Sequence, residues 1–423
     1  MSDRPADPSR NEPGNVPAPD VEILVGIPSF NNAATIGHVV RAVEAGLTKY
    51  FPGHRSVLVN SDGGSTDGTT DIVREASVDY ESILVDHRQG GLRKLVTPYH
   101  GIPGKGSAFR KIFEIARELG VRACAVVDSD LRSITPEWIE LLVKPVLEEG
   151  YEYVAPYYLR HKYDGTITNT IVYPLTRALY GKRIRQPIGG DFGFSGRLAS
   201  LYLDKNVWES DVARFGIDIW MTTTALATGA RICQAFLGAK IHDAKDPGAD
   251  LSAMLHQVVG SVFGLMEEYA GTWRPVRGSE PAPTFGFAYS VGLEPIHVNL
   301  DRMMEMFRLG IKDLGPFYRS FLPQEVLAAL DGLAGETDRD RFVYPDEAWV
   351  RTVLSFALAC HRQVASREHI IKSLTPLYLG KVASFVIATW DSSAEDVEKR
   401  LEELCLAFER DKDYLVGEWE SKA

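Results

Sequence analysis

Asp128-Ser129-Asp130 places two carboxylates at i and i+2 behind an apolar run, Ala123 to Val127. On an extended chain such a pair faces one side. A hard divalent cation, Mg²⁺ or Mn²⁺, takes oxygen ligands of this kind and often bridges them to a diphosphate. The plainer reading is a turn or cap, since Asp is common after strands. Ser61-Asp62-Gly63-Gly64-Ser65 follows a second apolar run. Asp62 can accept from the N–H of a base while the glycines let a flat ring approach; a tight turn with an N-cap from Ser65 or Thr66 serves the same residues. Gly104-Lys105-Gly106 is no Walker A loop, because Gly106 stands where Ser or Thr is needed. A Lys beside helix-opening N–H groups is still an anion site, or simply a solvated loop Lys. His242 can complete a cation's coordination or be a satisfied structural His. Arg160, Thr168 and Gln186 to Asp191 suit a pocket floor. Asp218 stands alone in an apolar stretch, so it is a cap or a site residue.

The elements that must position these groups follow a rhythm. Residues 21–27, 56–60, 83–86 and 123–127 are short apolar runs that suit strands buried on both faces. Helical spacing fills 33–48, a stretch begun by Thr66-Asp67, and 107–119 with Gly120 as a stop; Thr135-Pro136-Glu137 starts another helix. Strand, helix, strand, helix means an α/β, doubly wound sheet, with ligands beyond the strands' C-terminal ends. The clusters at Pro28 to Asn32, Asp62 to Ser65 and Asp128 to Asp130 all fall there. After about residue 250 the chain reads as mainly helical over 251–270, 299–313, 324–334, 347–365, 368–389 and 393–412. Residues 272–287, rich in Pro, Gly and Arg, read as a linker or ordered loop. The apolar faces of these helices can build a homodimer or higher homo-oligomer, or pack on the sheet domain. The division expected is a disordered tail at 1–20, a sheet domain at 21–250 and a helical domain at 251–423.

Composition narrows the class. The chain has 423 residues and a net charge of −11, which argues against a general nucleic-acid binder. A local basic pocket for one anionic small molecule remains compatible with it. Four cysteines without a CxxC pair read as small buried apolar residues rather than a disulfide framework. No run of 18 apolar residues reads as membrane-spanning and the N-terminus lacks an apolar signal core, so a cytoplasmic location is expected.

The order strand–PSFNNAATI, strand–SDGGSTDGT, GKGSA, strand–DSD across residues 23–130 resembles a GT-A glycosyltransferase that uses a nucleotide sugar. The pieces YYLRHKYDGTIT, RQPIGGDFGFS, FGIDIWMTT and the passage ending in His242 resemble the retaining synthases of hexosylglycerates: mannosylglycerate, glucosylglycerate and glucosyl-3-phosphoglycerate synthases. The resemblance covers roughly residues 21–250. It implies a Rossmann-like, mostly parallel sheet with helices on both faces. It implies that Pro28, Asn32 and Asp62 line the nucleoside, with Gly104 and Lys105 near it or its phosphates. Asp128 and Ser129 start the nucleotide- and metal-binding motif, and Asp130 and His242 ligate the metal with Asp128. Gly189, Gly190 and Asp191 would sit at the donor sugar, Asp218 near the reacting centre, and Arg160 and Thr168 on the glycerate carboxylate.

Two departures from that pattern matter. Asn32 stands where the family's first loop commonly carries an acid. Thr166, in the acceptor segment, replaces an Arg that would pair with a phosphate, an ion pair for which an Arg fork is the natural ligand. The acceptor expected is therefore D-glycerate rather than 3-phosphoglycerate, although His161 and Lys162 nearby can compensate. The expected reaction transfers an α-linked glucose or mannose from a nucleoside diphosphate to the 2-hydroxyl, with retention. No carboxylate is an evident nucleophile. The resemblance implies a front-face, oxocarbenium-like route aided by Lys105, with Asp191 or Asp218 as covalent nucleophile the second route. An inverting glycosyltransferase on another acceptor, or a nucleotide-sugar-binding protein without catalysis, are the other readings.

Overall fold

The computed structural model describes residues 21–76, 92–241, 252–287, 296 and 298–421. The first half runs β1 (Ile23–Ser29), α1 (Ala33–Tyr50), β2 (Ser56–Asp62), α2 (Thr69–Glu75), β3 (Arg93–Pro98), α3 (Lys105–Leu119), β4 (Ala123–Val126), α4 (Pro136–Leu147) and β5 (Tyr153–Leu159). It continues with α5 (Tyr173–Tyr180), β6 (Lys182–Arg183), β7 (Phe192–Ser195), α6 (Gly196–Leu203), α7 (Ile217–Ala227) and β8 (Ile232–Ala239). The main sheet has eight strands in the order β10-β8-β5-β7-β4-β1-β2-β3, with β10 at Thr284–Phe285. β1 lies parallel between β2 and β4, in register Ile23↔Ser56 and Ile23↔Ala123. β7 runs antiparallel to both its neighbours, β4 and β5.

That reversal matters for the site. The parallel strands end at Ser29, Asp62, Val126, Leu159 and Ala239, so the loops after them share one edge. β7 brings its N-terminal end, preceded by Gly189 to Asp191, to that same edge. The expected strand at 83–86 and the tail at 1–20 lie outside the described residues. The third strand observed is β3, an edge strand whose sequence RKLVTP is only partly buried and so lacks a continuous apolar run. The helix expected from Thr66-Asp67 begins at Thr69; Asp67 instead accepts from Thr69 N–H (3.1 Å) and Ala33 N–H (3.0 Å), tying two loops.

Both faces of the sheet are covered. α1 buries Ile36, Val39, Val40, Val43 and Leu47, a helical stripe that meets α4 residues such as Trp138 and Leu142 on one face. Phe109, Ile112 and Phe113 of α3 pack with residues of α6 and α7 on the other.

The C-terminal part is helical: α8 (Ser252–Glu268), α9 (Ala270–Trp273), then β9 (Glu280–Pro281) and β10, then α10 (Leu300–Tyr318), α11 (Gln324–Gly335), α12 (Asp346–His361), α13 (Arg367–Thr389), α14 (Ala394–Arg410) and α15 (Lys412–Glu420). Residues 272–287 are no free linker, because β10 adds an edge strand to the main sheet beside β8. The helices share a continuous core with residues 163–180 of the sheet half, including Ile171, Leu175 and Leu179. Arg177 pins this junction: it is fully buried, and its guanidinium donates to Glu402 (2.8 Å) and Glu409 (2.7 Å) of α14. Among the described residues one helix, α13, is long and apolar enough to cross a membrane, but it is mostly buried among the other helices. All four cysteines are free; Cys124, Cys233 and Cys405 are buried as expected, and Cys360 is half-buried.

Candidate active site

The loops at the shared edge surround a cleft of about 650 Å³. Pro28, Asn32, Gly104, Lys105, Asp128, Ser129, Asp130, Arg160, Thr166, Thr168, Gly189, Gly190 and Asp218 all line it, so most residues singled out from sequence converge there.

On the β1–β2 side the loops hold each other by side-chain bonds. Asn31, at φ 54°, donates its N–H to Ser65 Oγ (2.8 Å), and its Oδ1 accepts from Thr66 N–H (3.0 Å). Asn32 Oδ1 accepts from Phe30 N–H (2.9 Å) and Ser129 Oγ (2.8 Å), linking the first loop to the Asp128-Ser129-Asp130 segment. Asp62 departs from its expected role. Its Oδ1 accepts from the hydroxyls of Ser29 and Ser65, both at 2.7 Å, and its Oδ2 from the N–H groups of Gly64 (2.9 Å) and Ser65 (2.7 Å). A carboxylate has about four acceptor sites. All are used by Ser29 of β1 and by the turn itself, so Asp62 shapes the loop and does not line the cleft.

Beneath the cleft lies a chain of buried charges. Lys105 opens α3 between two glycines that let the backbone come close: a Cβ on Gly106 would stand 1.9 Å from the Val212 carbonyl oxygen. Lys105 Nζ is 2.8 Å from Asp128 Oδ1 and 3.3 Å from Asp218 Oδ1. Lys240, just past β8, reaches Asp128 Oδ2 (2.8 Å), Asp191 Oδ2 (2.8 Å) and the Gly189 carbonyl (2.7 Å). Gly190 has φ 91°, and a Cβ there would meet Asp128 Oδ2 at 2.2 Å, so this turn is open only to glycine.

The charges shift one another. Burial works against the Asp128 carboxylate, yet Lys105 and Lys240 together hold its carboxyl far below the usual range. Burial likewise opposes both ammonium groups, and the facing carboxylates raise them above an ordinary lysine, Asp128 first. Asp218 goes the other way. Burial lifts its carboxyl above the ordinary value against the pull of Lys105, with the Asp128 charge adding to the lift.

Asp191 requires a correction. It is fully buried and does not line the cleft. Its Oδ1 accepts from Asp128 N–H (2.8 Å), and its Oδ2 from Tyr158 Oη and Lys240. It cannot touch a sugar or act as a nucleophile in this arrangement; it holds Asp128 and Lys240 in place. Lys240 and Tyr158 are the site residues that sequence reasoning missed. A lysine directly after the apolar strand ICQAFLGA, at the ligand edge, was the available signal.

On the acceptor side, Arg160 stacks over the Tyr158 ring at 5.2 Å, and its Nη1 is 3.9 Å from Asp164. Thr166 is buried with its hydroxyl 2.6 Å from Tyr378 Oη of α13. Thr168 begins a short π-helical turn, Thr168–Val172. The cations considered as substitutes for an Arg at 166 are not in the cleft. Lys162 Nζ donates to the carbonyls of Thr389 (2.7 Å), Trp390 (2.8 Å) and Ser392 (3.2 Å). Burial and neighbouring Lys162 push the His161 imidazole below its usual value, toward the neutral form.

For a metal, Asp128 and Asp130 present carboxylates to the cleft, the oxygen donors a hard divalent cation takes. His242, the expected third ligand, lies outside the described residues. Among the described residues no three His, Cys, Asp or Glu side chains gather into a metal cluster. The donor set fits a cation whose remaining ligands come from a diphosphate or water.

A mainly parallel sheet with helices on both faces, and an Asp-Ser-Asp segment at its ligand edge, define a GT-A fold. Residues 24–202 match the family described as Glycosyl transferase family 2. The match supports the resemblance drawn from the motifs and ends before α7 and β8, so Asp218 and Lys240 lie beyond it. Solved structures similar to this chain include glucosyl-3-phosphoglycerate synthase from Mycobacterium tuberculosis with Mn²⁺, UDP and glucosyl-3-phosphoglycerate, at 23% identity, TM-score 0.42, covering 58% of this chain and 80% of that one. The same enzyme with Mg²⁺ and UDP matches at 22% identity, TM-score 0.42, covering 58% and 79%. No curated protein matches the chain. The family match and the donor set together support a metal-dependent glycosyltransferase.

Proposed function

We propose that the chain transfers glucose or mannose from a nucleoside diphosphate sugar to the 2-hydroxyl of D-glycerate or a closely related 2-hydroxy acid, with retention at the anomeric carbon. The observation that carries this reading is the convergence of two groups in one cleft: Asp128, Asp130 and Lys105 for a diphosphate, and Arg160 and Thr168 for a carboxylate. In the reaction the bond from the anomeric carbon to the diphosphate oxygen breaks. A bond to the acceptor's 2-oxygen forms, and the hydroxyl proton leaves with the diphosphate.

Asp128 and Asp130, with His242, would hold Mg²⁺ or Mn²⁺, which when bound neutralises charge on the diphosphate. Lys105 is a cation that lines the cleft beside the Asp128 to Asp130 segment. Its ammonium rests on Asp128 and Asp218, and a diphosphate entering beside it offers a stronger anionic partner. Arg160 and Thr168 would orient the acceptor carboxylate, which lowers the entropic part of the barrier. Asp218, paired with Lys105 and lining the cleft, would lie near the reacting centre. Lys162 is committed to the carbonyls at the end of α13, and Thr166 carries no charge of its own, which favours an unphosphorylated acid over 3-phosphoglycerate. A homodimer or higher homo-oligomer is our expectation for the assembly.

The test is a matrix of UDP- and GDP-glucose and -mannose against D-glycerate and 3-phosphoglycerate, with Mg²⁺ or Mn²⁺. Transfer to D-glycerate that is lost on adding a chelator and in Asp130→Ala is the result expected. Folded, metal-loaded protein that transfers to neither acid would overturn the acceptor assignment.

A further inference from the structure

A second cavity of about 540 Å³ lies against the cleft. The two share Arg160, Asp164, Gly165 and Thr168 as a common wall. The Arg160–Asp164 separation of 3.9 Å is long for an ion pair, and Arg160 Nε is buried with no hydrogen-bond partner among the described residues. Thr168 opens a π-helical turn, a form found often at functional sites. A buried guanidinium N–H without an acceptor favours an anionic ligand.

The other cations of the second cavity are already committed. Lys162 serves the end of α13, and Arg185 pairs with Glu398 (2.8 Å) and Asn169 (3.0 Å). Val397 and Leu401 of α14, and Tyr157 edge-on to Phe236 at 5.6 Å, give the cavity an apolar side, facing the polar Asn169, Gln186 and Glu398. One cation at the wall with aromatic and aliphatic surface behind it is the usual make-up of a small-molecule pocket.

We propose that the acceptor is a 2-hydroxy acid whose carboxylate meets Arg160 and whose carbon-3 substituent, apolar or aromatic, occupies the second cavity. This rests on the proposed function and sharpens its substrate class.

Four acids that differ only at carbon 3 test it: D-lactate, D-glycerate, D-3-phenyllactate and 3-phosphoglycerate. A second variable is Ala394→Trp, at an exposed position on the cavity's rim at the start of α14. The expected result is a kcat/KM for D-3-phenyllactate at least about tenfold above D-lactate, in line with the selectivity of apolar pockets. Ala394→Trp should cut the phenyllactate value about tenfold and leave D-lactate within about twofold. Phenyllactate no better than lactate, or 3-phosphoglycerate the preferred acid, would overturn the assignment. Calorimetric binding of D-3-phenyllactate in the presence of UDP separates the two readings. Binding weakened in Ala394→Trp, with no transfer to any acid, keeps the cavity assignment and discards the reaction. Transfer to D-glycerate with no binding of phenyllactate discards the cavity assignment alone. Neither binding nor transfer discards both.

Discussion

Lys240→Met is the sharpest test of how the site is built. The side chain is 4% exposed, and its ammonium stands 2.8 Å from both Asp128 and Asp191 and 2.7 Å from the Gly189 carbonyl. Methionine keeps much of the volume and removes the charge. Asp128 retains Lys105 at 2.8 Å, but Asp191 is left with only the Tyr158 hydroxyl and the Asp128 N–H. Removing one partner from a buried ion pair costs about 3–5 kcal/mol, because the other charge stays buried and unpaired. At about 2.1 cal/mol/K of unfolding entropy per residue, a chain of this length moves Tm by roughly 1 °C per kcal/mol, so a drop of about 3–6 °C is expected. Thermal unfolding by circular dichroism reads it. The double variant Lys240→Met/Asp191→Asn removes the orphaned charge as well, and should recover a large part of the loss rather than add to it. A single variant melting within about 2 °C of the native protein, or a strictly additive double variant, would refute the ion-pair account.

Other outcomes follow from the same geometry. Lys105→Met should lower kcat by about 10²–10³-fold, as loss of an electrostatic donor at a developing anion does, while the circular dichroism spectrum stays native. Gly106→Ala should lower Tm and activity together, because its Cβ would stand 1.9 Å from the Val212 carbonyl oxygen and displace the Lys105 turn. Asp218→Asn should gain stability relative to the native protein as pH rises from 4 to 7. Burial raises the Asp218 carboxyl in the folded state, so its contribution is fullest below the unfolded pKa and is lost as pH rises through the folded one. Tm measured for both proteins at pH 4, 5.5 and 7 checks the sign, and a difference that shrinks with pH would contradict it.

The parts legible in the sequence share a physical cause. β1, β2 and β4 are buried on both faces, so each is a continuous apolar run, and the polar groups behind them had to lie at one edge. The helices of the second half carry stripes long enough to be read without a structure. β3 escaped because an edge strand needs only partial burial. β7 escaped because FGFS is only four residues long, directly behind the Gln186 to Asp191 segment that read as pocket floor. Asp191 and Asp218 look alike in sequence, each an acid beside apolar residues. Only the antiparallel β7 puts the first beneath the cleft and α7 puts the second on it. Asp62 shows the same limit, since a carboxylate that caps its own turn and one that meets a ligand have identical sequence surroundings. Lys240 was in view as the lead-in to His242, but its role depends on two acids 112 and 49 residues away in the chain.

The central claim, retaining hexosyl transfer to a 2-hydroxy acid, is tested most directly by proton NMR of the product formed from nucleoside diphosphate glucose or mannose, D-glycerate and Mn²⁺, taken after the metal is removed. The account predicts a new α-anomeric signal with a bond to carbon 2 of the acid, absent with Asp130→Ala. A β-anomer, or release of free sugar alone, would contradict it.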